Sequence, residues 1–367
     1  MKVVVGEVNE LEIASREVSN FYGQHWKRKI ALSDYSFYKW QFMSSPSDAG
    51  LDHCCIAIDE DSKQILGVMG LNTRPFFLGG EEVKGAELTT WIVVEELHGK
   101  GIGPRILRNI QQNYDVLIGM GISDMALPVY MRSGFRYLRA IPRFIKVFNW
   151  EMIEGYAQYT GLAKRLTKYW KGIRECSFCV EDVDNKRIEK IEGDIVQNHN
   201  LFSRDYEYIT WRYVNHPVFC YKHFMIYSER DNGAGVYVCF REETSAKDLR
   251  LLHVLDFFGD QRDMSAAISF IHSYCNENNF YLAEFYCTST FISRFFISSG
   301  WFSNNDDSCF QFPHLFHPIE FRNPPTTSLI YWSKNNFIEL ADISKLYITK
   351  QDADFDRPTM ANANDES

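Results

Sequence analysis

His98-Gly99-Lys100-Gly101-Ile102-Gly103-Pro104 is the stretch of this sequence best equipped for chemistry. Alternating glycines let the backbone turn its N–H groups toward one point with no Cβ in the way. A helix follows, and its N-terminal dipole favours an anion at the same point. Pro104 suits the first helical turn, where a missing N–H costs nothing. The loop is suited to a pyrophosphate. Two common phosphate motifs do not fit: there is no Gly-Lys-Ser/Thr to make a P-loop, and Gly101-Ile102-Gly103 lacks the third glycine of a dinucleotide fold.

The elements around the loop must position it. Upstream, Ala86-Glu87-Leu88-Thr89-Thr90-Trp91-Ile92-Val93-Val94 is apolar and β-branched, a strand running into the turn. Downstream, after room for one helix and one strand, comes Tyr130-Met131-Arg132-Ser133-Gly134-Phe135. Glu87 is a general base if partly buried, and a plain strand glutamate if it faces solvent. Tyr130 either donates its phenolic proton to a leaving group or packs at a helix start with its hydroxyl bonded elsewhere.

These residues resemble the Gcn5-related N-acyltransferase (GNAT) superfamily, whose pyrophosphate loop reads Arg/Gln-x-x-Gly-x-Gly/Ala after the fourth strand. His98 to Gly103 match it at every position but the first, which leaves the role of His98 open. The family's later Tyr-x-x-x-Gly-Phe is met by Tyr130 to Phe135, with Ala126 four residues before the tyrosine. The resemblance implies acyl-coenzyme A as cosubstrate and no metal. It implies that backbone groups of Ile92, Val93 and Val94 pair with pantetheine and polarise the thioester carbonyl. His98, Gly99, Lys100, Gly101, Ile102 and Gly103 would then hold the pyrophosphate. Glu87, 11 residues before His98, has the spacing of the base glutamate in histone-acetylating relatives. Tyr130 is the matching candidate acid for the leaving thiolate.

The plan occurs twice. Asp34-Tyr35-Ser36-Phe37-Tyr38-Lys39-Trp40 is answered by Asp205-Tyr206-Glu207-Tyr208-Ile209-Thr210-Trp211, and a strand–turn–strand pattern follows each. Near each end, Tyr130 to Phe135 parallels Phe296-Ile297-Ser298-Ser299-Gly300-Trp301. The expected architecture is α+β: two tandem GNAT-like domains, each a mixed twisted sheet flanked by helices. Residues 1–150 would bind acyl-coenzyme A and 151–173 form a helical linker. Residues 174–350 would be a degenerate copy, and 351–367 an acidic, largely disordered tail. The second copy offers Gly259-Asp260-Gln261-Arg262-Asp263 in place of the glycine loop, which would repel a pyrophosphate. One coenzyme A site is expected.

The tandem arrangement is similar to bacterial sugar N-acyltransferases that place acetyl or 3-hydroxybutanoyl on dTDP-linked 3-amino-3,6-dideoxyhexoses for surface polysaccharide. The likeness includes Trp211-Arg212-Tyr213-x-x-His216-Pro217 and Asp352-Ala353-Asp354-Phe355-Asp356-Arg357-Pro358. An acceptor would sit between the domains, with Arg212 and His253 as candidate contacts. Trp40 and Trp211 read as a shared core position. Two other classes are weighed. Peptidyltransferases fed by aminoacyl-tRNA would not need an intact coenzyme A loop, and a non-enzymatic ligand sensor would show a degenerate loop in both copies.

Composition sets the remaining bounds. A net charge of -9 over 367 residues disfavours a general nucleic-acid binder. No apolar run approaches about 20 residues, so no membrane span is expected. The start, MKVVVGEVNELE, has no signal-peptide pattern, and a cytoplasmic location is expected. The nine cysteines show no disulfide framework. Cys176 and Cys179, in an expected strand, would point to opposite faces and could not share a metal.

Overall fold

The computed structural model describes residues 2–159, 175–245, 248–303, 310–316, 319–321, 326–335, 337–352, 356 and 358. The expected α+β fold is present as two mixed sheets flanked by helices. In the first sheet β1 (Val3–Glu7), β2 (Cys55–Asp59), β3 (Ile65–Leu78) and β4 (Glu81–Val93) are antiparallel neighbours. β5 (Val116–Met120) lies parallel to β4. Helices α1 (Ser15–His25) and α2 (Tyr35–Met43) precede β2. Helix α3 (Ile102–Asn113) makes the crossover that a parallel pair requires.

The second sheet repeats this order. Phe178–Glu181, Tyr221–Ser228, Val236–Thr244 and Arg250–Gly259 are antiparallel neighbours, and Leu282–Tyr286 lies parallel to the last. The helix Met264–Glu277 is its crossover. The repeat extends to single residues. Asp34 and Asp205 both cap a helix, accepting from Ser36 N (2.8 Å) and Tyr208 N (2.7 Å). Gly134 and Gly300 end equivalent helices at φ 86° and 82°, the left-handed region that favours glycine. The next residue then bonds back: Phe135 N–H to Tyr130 O at 3.2 Å, and Trp301 N–H to Phe296 O at 3.0 Å.

The sheets exchange strands. β7 (Arg143–Val147) leaves the first half and pairs between Leu282–Tyr286 and Phe302–Ser303 in the second sheet. Leu329–Ser333 returns to pair between β5 and β6 (Arg136–Leu138) in the first. Ile330, fully buried, packs with Leu88, Tyr130 and Phe135 in one core. Burial of such a side chain contributes about 1.5–3 kcal/mol.

Residues 160–174, most of the expected linker, lie outside the described residues, as do 353–355, 357 and 359–367 of the expected tail. The start of that acidic segment is not solvated. Gln351, Asp352 and Asp356 are buried, because Asp352 pairs with both Arg74 and Arg204 and Asp356 pairs with Arg241. Among the described residues no helix is long and apolar enough to cross a membrane, and no cluster of three or more His, Cys, Asp or Glu could hold a metal.

Candidate active site

β4 carries the site. Its ladder to β5 runs from Gly85–Val116 to Leu88–Gly119 and stops, while its ladder to β3 continues to Val93. The strands part at a β-bulge, where Thr89 and Thr90 lie between the pairs Leu71–Leu88 and Met69–Trp91 and so face Gly70 alone. Gly70 is required there. A Cβ would lie 2.4 Å from Thr89 Oγ1 and 2.6 Å from Phe42 Cζ. Beyond the bulge, Val94 N–H donates to Leu66 O at 3.0 Å. Alternation along an antiparallel ladder turns Ile92 toward β3 as well and leaves Val93 facing the gap. Of Ile92, Val93 and Val94, only Val93 presents its N–H there.

The loop then closes one end of the gap. Gly99 and Gly101 have φ of 77° and 81°. Lys100 N–H is used internally, donating to Leu97 O at 3.1 Å. The N–H groups of Gly101, Ile102 and Gly103 precede the first intrahelical bond, from Arg105 N to Gly101 O, and Pro104 has none to offer. Gly103 leaves no room for a side chain, since its Cβ would lie 2.7 Å from Trp91 Cζ2. His98 now has a role: its Nε2 lies 2.9 Å from Val93 O and ties the loop to the strand end.

Glu87 is buried on the paired part of β4, at 2% exposure. Its Oε2 accepts from Asn72 Nδ2 at 3.1 Å. Arg74 Nη2 lies 3.0 Å from Oε1, but off any hydrogen-bonding direction, so that oxygen has no hydrogen-bond partner. Burial pushes the carboxyl up to about 7, against the pull of Arg74. Arg74 is sandwiched by Phe202 and Tyr208 (4.4 and 4.0 Å) and shared with Asp352.

A small cleft lies over Glu87. Phe37, Trp40 and Gln41 from α2 and Tyr208, Trp211, Arg212 and His216 from the second copy line it, with Asn72, Gln351 and Asp356. Thr210–Val214 is a π-helical turn, and it places Trp211 and Arg212 on this wall. His216 Nδ1 accepts from the N–H groups of Val218 and Phe219 (3.1 and 2.9 Å), so Nε2 carries the proton. Burial, with Arg212 adding to it, pushes His216 down to about 3, and the ring is neutral.

Not every candidate meets here. Arg212 does, bonded to Tyr221 Oη at 3.2 Å. His253 does not line this cleft. It is buried in a polar cluster with Glu284 and Lys350, and burial pushes it down to about 4. Tyr130 lies in the core against Trp91 and Phe135, outside the Glu87 cleft, with its hydroxyl 3.9 Å from Met69 Sδ. Sequence reasoning missed Asn72, Gln351 and Asp356 as cleft residues. It assigned the Trp40–Trp211 pair to the core, yet the repeat that matches them was itself the pointer to this wall.

No family model matches the sequence, and no curated protein matches it. Solved structures do match. A GCN5-related N-acetyltransferase from Anabaena variabilis aligns with TM-score 0.58 at 11% identity, over 90% of this chain and 72% of its own. A probable N-acyltransferase from Enterococcus faecalis gives 0.56 at 9%, over 91% and 73%. A GCN5-related N-acetyltransferase from Kribbella flavida gives 0.51 at 11%, over 90% and 72%. The chain has the GCN5-related N-acetyltransferase fold.

The second copy keeps that fold without the glycine loop. Its parallel pair also ends early, at Val254–Phe285, and its strand bulges between Val254 and Asp256. Two carboxylates of its own fill the turn: Asp263 accepts from Ser228 N and Gly235 N (both 2.8 Å), and Asp260 accepts from Ala234 N at 3.0 Å. Phe296 stands where Tyr130 stands in the first copy.

Proposed function

We propose that this protein is an acyl-coenzyme A-dependent N-acyltransferase whose acceptor is the amine of a nucleotide-linked (dTDP) amino-dideoxyhexose. One observation carries the reading: Glu87, buried and with one oxygen that makes no hydrogen bond, lines an aromatic cleft on the same strand that leads into the glycine loop. Both late sequence segments that resemble the sugar N-acyltransferases contribute to that cleft, through Trp211, Arg212 and His216 and through Asp356.

The loop suits a pyrophosphate: the N–H groups of Gly101, Ile102 and Gly103 precede the helix's own bonds, and Cβ-free Gly99 and Gly101 leave the approach open. Val93 N–H is positioned to pair with the pantetheine arm and polarise the thioester carbonyl. Glu87 takes a proton from the acceptor amine, directly or through water, as the nitrogen lone pair attacks the carbonyl carbon. The C–N bond forms, the C–S bond breaks, and the coenzyme A thiolate takes up a proton. Tyr130 is the candidate donor, although burial raises its pKa and makes it a weaker acid than a free phenol. A sugar amine titrates near an α-amino group, about 8, so Glu87 needs to be only a weak base.

Thiol release from acetyl- and 3-hydroxybutanoyl-coenzyme A, against dTDP-linked 3-amino and 4-amino dideoxyhexoses with mass detection of product, tests this. Turnover names both substrates. Coenzyme A binding without turnover on any amino sugar would sink the acceptor and turn attention to peptide or antibiotic amines.

A further inference from the structure

Three buried polar atoms on residues that line the cleft have no hydrogen-bond partner: Trp40 Nε1, Asn72 Oδ1 and Glu87 Oε1, the last ion-paired with Arg74 Nη2 at 3.0 Å. Each belongs to a different element, α2, β3 and β4, and all three residues line one cleft. A buried polar atom left unpaired costs about 1–3 kcal/mol, so a bound group that pairs with these atoms is stabilised by about that much for each.

Their chemistry specifies that ligand. Asn72 commits its amide nitrogen to Glu87 Oε2, which fixes the orientation of the amide and leaves Oδ1 as a pure acceptor. Glu87 Oε1 is an acceptor too, and Trp40 Nε1 is a donor only. We infer that Asn72 and Glu87 together grip one primary amine, each oxygen accepting one N–H, while Trp40 Nε1 donates to an oxygen on the same molecule. Asn72 is then a substrate-positioning residue, and the acceptor class is a primary amine bearing a nearby hydroxyl or ether oxygen. A secondary amine, or the alcohol in place of the amine, offers too few N–H groups to satisfy both acceptors. The stacked rings of Trp40 and Trp211 supply an apolar wall for the carbon skeleton. The inference deepens the preceding proposal and rests on its placing of the acceptor in this cleft.

Calorimetry on the full chain decides it, with two amine probes and one control. The amines are a dTDP-linked 3-amino-3,6-dideoxyhexose and glucosamine, which has neighbouring hydroxyls and no nucleotide. The control is the dTDP-linked 6-deoxyhexose that carries a hydroxyl in place of the amine. At least one amine binds the native protein, and the control binds about tenfold more weakly than its amine counterpart. Asn72→Leu and Trp40→Phe each weaken amine binding about tenfold, the size expected for one lost hydrogen bond. Asn72→Ser guards against misfolding of the leucine variant, and in turnover it raises KM more than it lowers kcat. Glucosamine binding without the nucleotide sugar would remove the dTDP reading and leave this inference standing. Failure of both amines on the native protein overturns it, and so does undiminished amine binding by Asn72→Leu and Asn72→Ser.

Discussion

Trp40 and Trp211 occupy the same position in the two copies of the repeat, and they stack on each other at 5.1 Å with an interplanar angle of 22°. Trp211 Nε1 also donates to Trp40 O at 3.1 Å. The two copies thus meet at equivalent residues beside the cleft, with Glu87 supplied from one side and Arg212 from the other. The duplication builds a shared cleft rather than merely enlarging the molecule.

Glu87→Gln should lower kcat by about 10²-fold or more, within the usual range for a general base. In the native protein kcat should rise with pH up to about 7 and then level, since the carboxylate is the active form. Folding raises this pKa, so the stability it contributes is complete below about 4.5 and lost as pH climbs through about 7. Melting curves at pH 5 and pH 8 should show the native protein losing stability relative to Glu87→Gln. Equal pH dependence in both would remove the perturbed carboxyl.

Asp352 holds two buried cations, Arg74 and Arg204, and Arg74 also faces Glu87. Asp352→Asn should cost about 3–5 kcal/mol in denaturant titration, as for a buried pair that loses one partner. Arg74 would then serve Glu87 alone. The acidic limb of the pH–rate profile should move to lower pH, a change that loss of stability by itself does not produce.

Gly101→Ala places a Cβ at φ 81°, at a cost of roughly 1–2 kcal/mol. Gly103→Ala drives one against Trp91. Both should weaken coenzyme A binding at least about tenfold by calorimetry, with acceptor binding unchanged. Intact coenzyme A affinity in both variants would count against the loop as the pyrophosphate site.

Tyr130→Phe removes a hydroxyl with a single weak contact, to Met69 Sδ, so the melting temperature should hardly change. A tenfold or larger fall in kcat would then be chemical in origin. Unchanged kcat would show that the thiolate takes its proton elsewhere.

Ile330→Ala tests the exchanged strand. A fully buried isoleucine reduced to alanine costs about 2–5 kcal/mol. The loss should disturb Tyr130 and coenzyme A binding in the first half, although residue 330 lies in the second half of the sequence.

What was legible in the sequence was local. The glycine loop, and the repeat that pairs Asp34 with Asp205 and Gly134 with Gly300, are short-range patterns that the chain displays directly. The strand exchange was not legible: Arg143–Val147 and Leu329–Ser333 would pair equally well in either sheet by pattern alone. The burial of Asp352 was hidden for a related reason. An aspartate in an acidic stretch reads as solvated until Arg74 and Arg204, distant in sequence, are seen to enclose it. Asn72 carried no motif, and only its place opposite Glu87 gives it a role.

The exchange of strands also governs how the chain is born. β5 gains its outer neighbour only when Leu329 pairs with Met120, a closure across more than half the polypeptide. During synthesis β5 therefore keeps an open, apolar sheet edge until Leu329–Ser333 has left the ribosome. Contacts of such long range make folding slow. Each half holds a strand that belongs to the other, so native pairing in either sheet needs both.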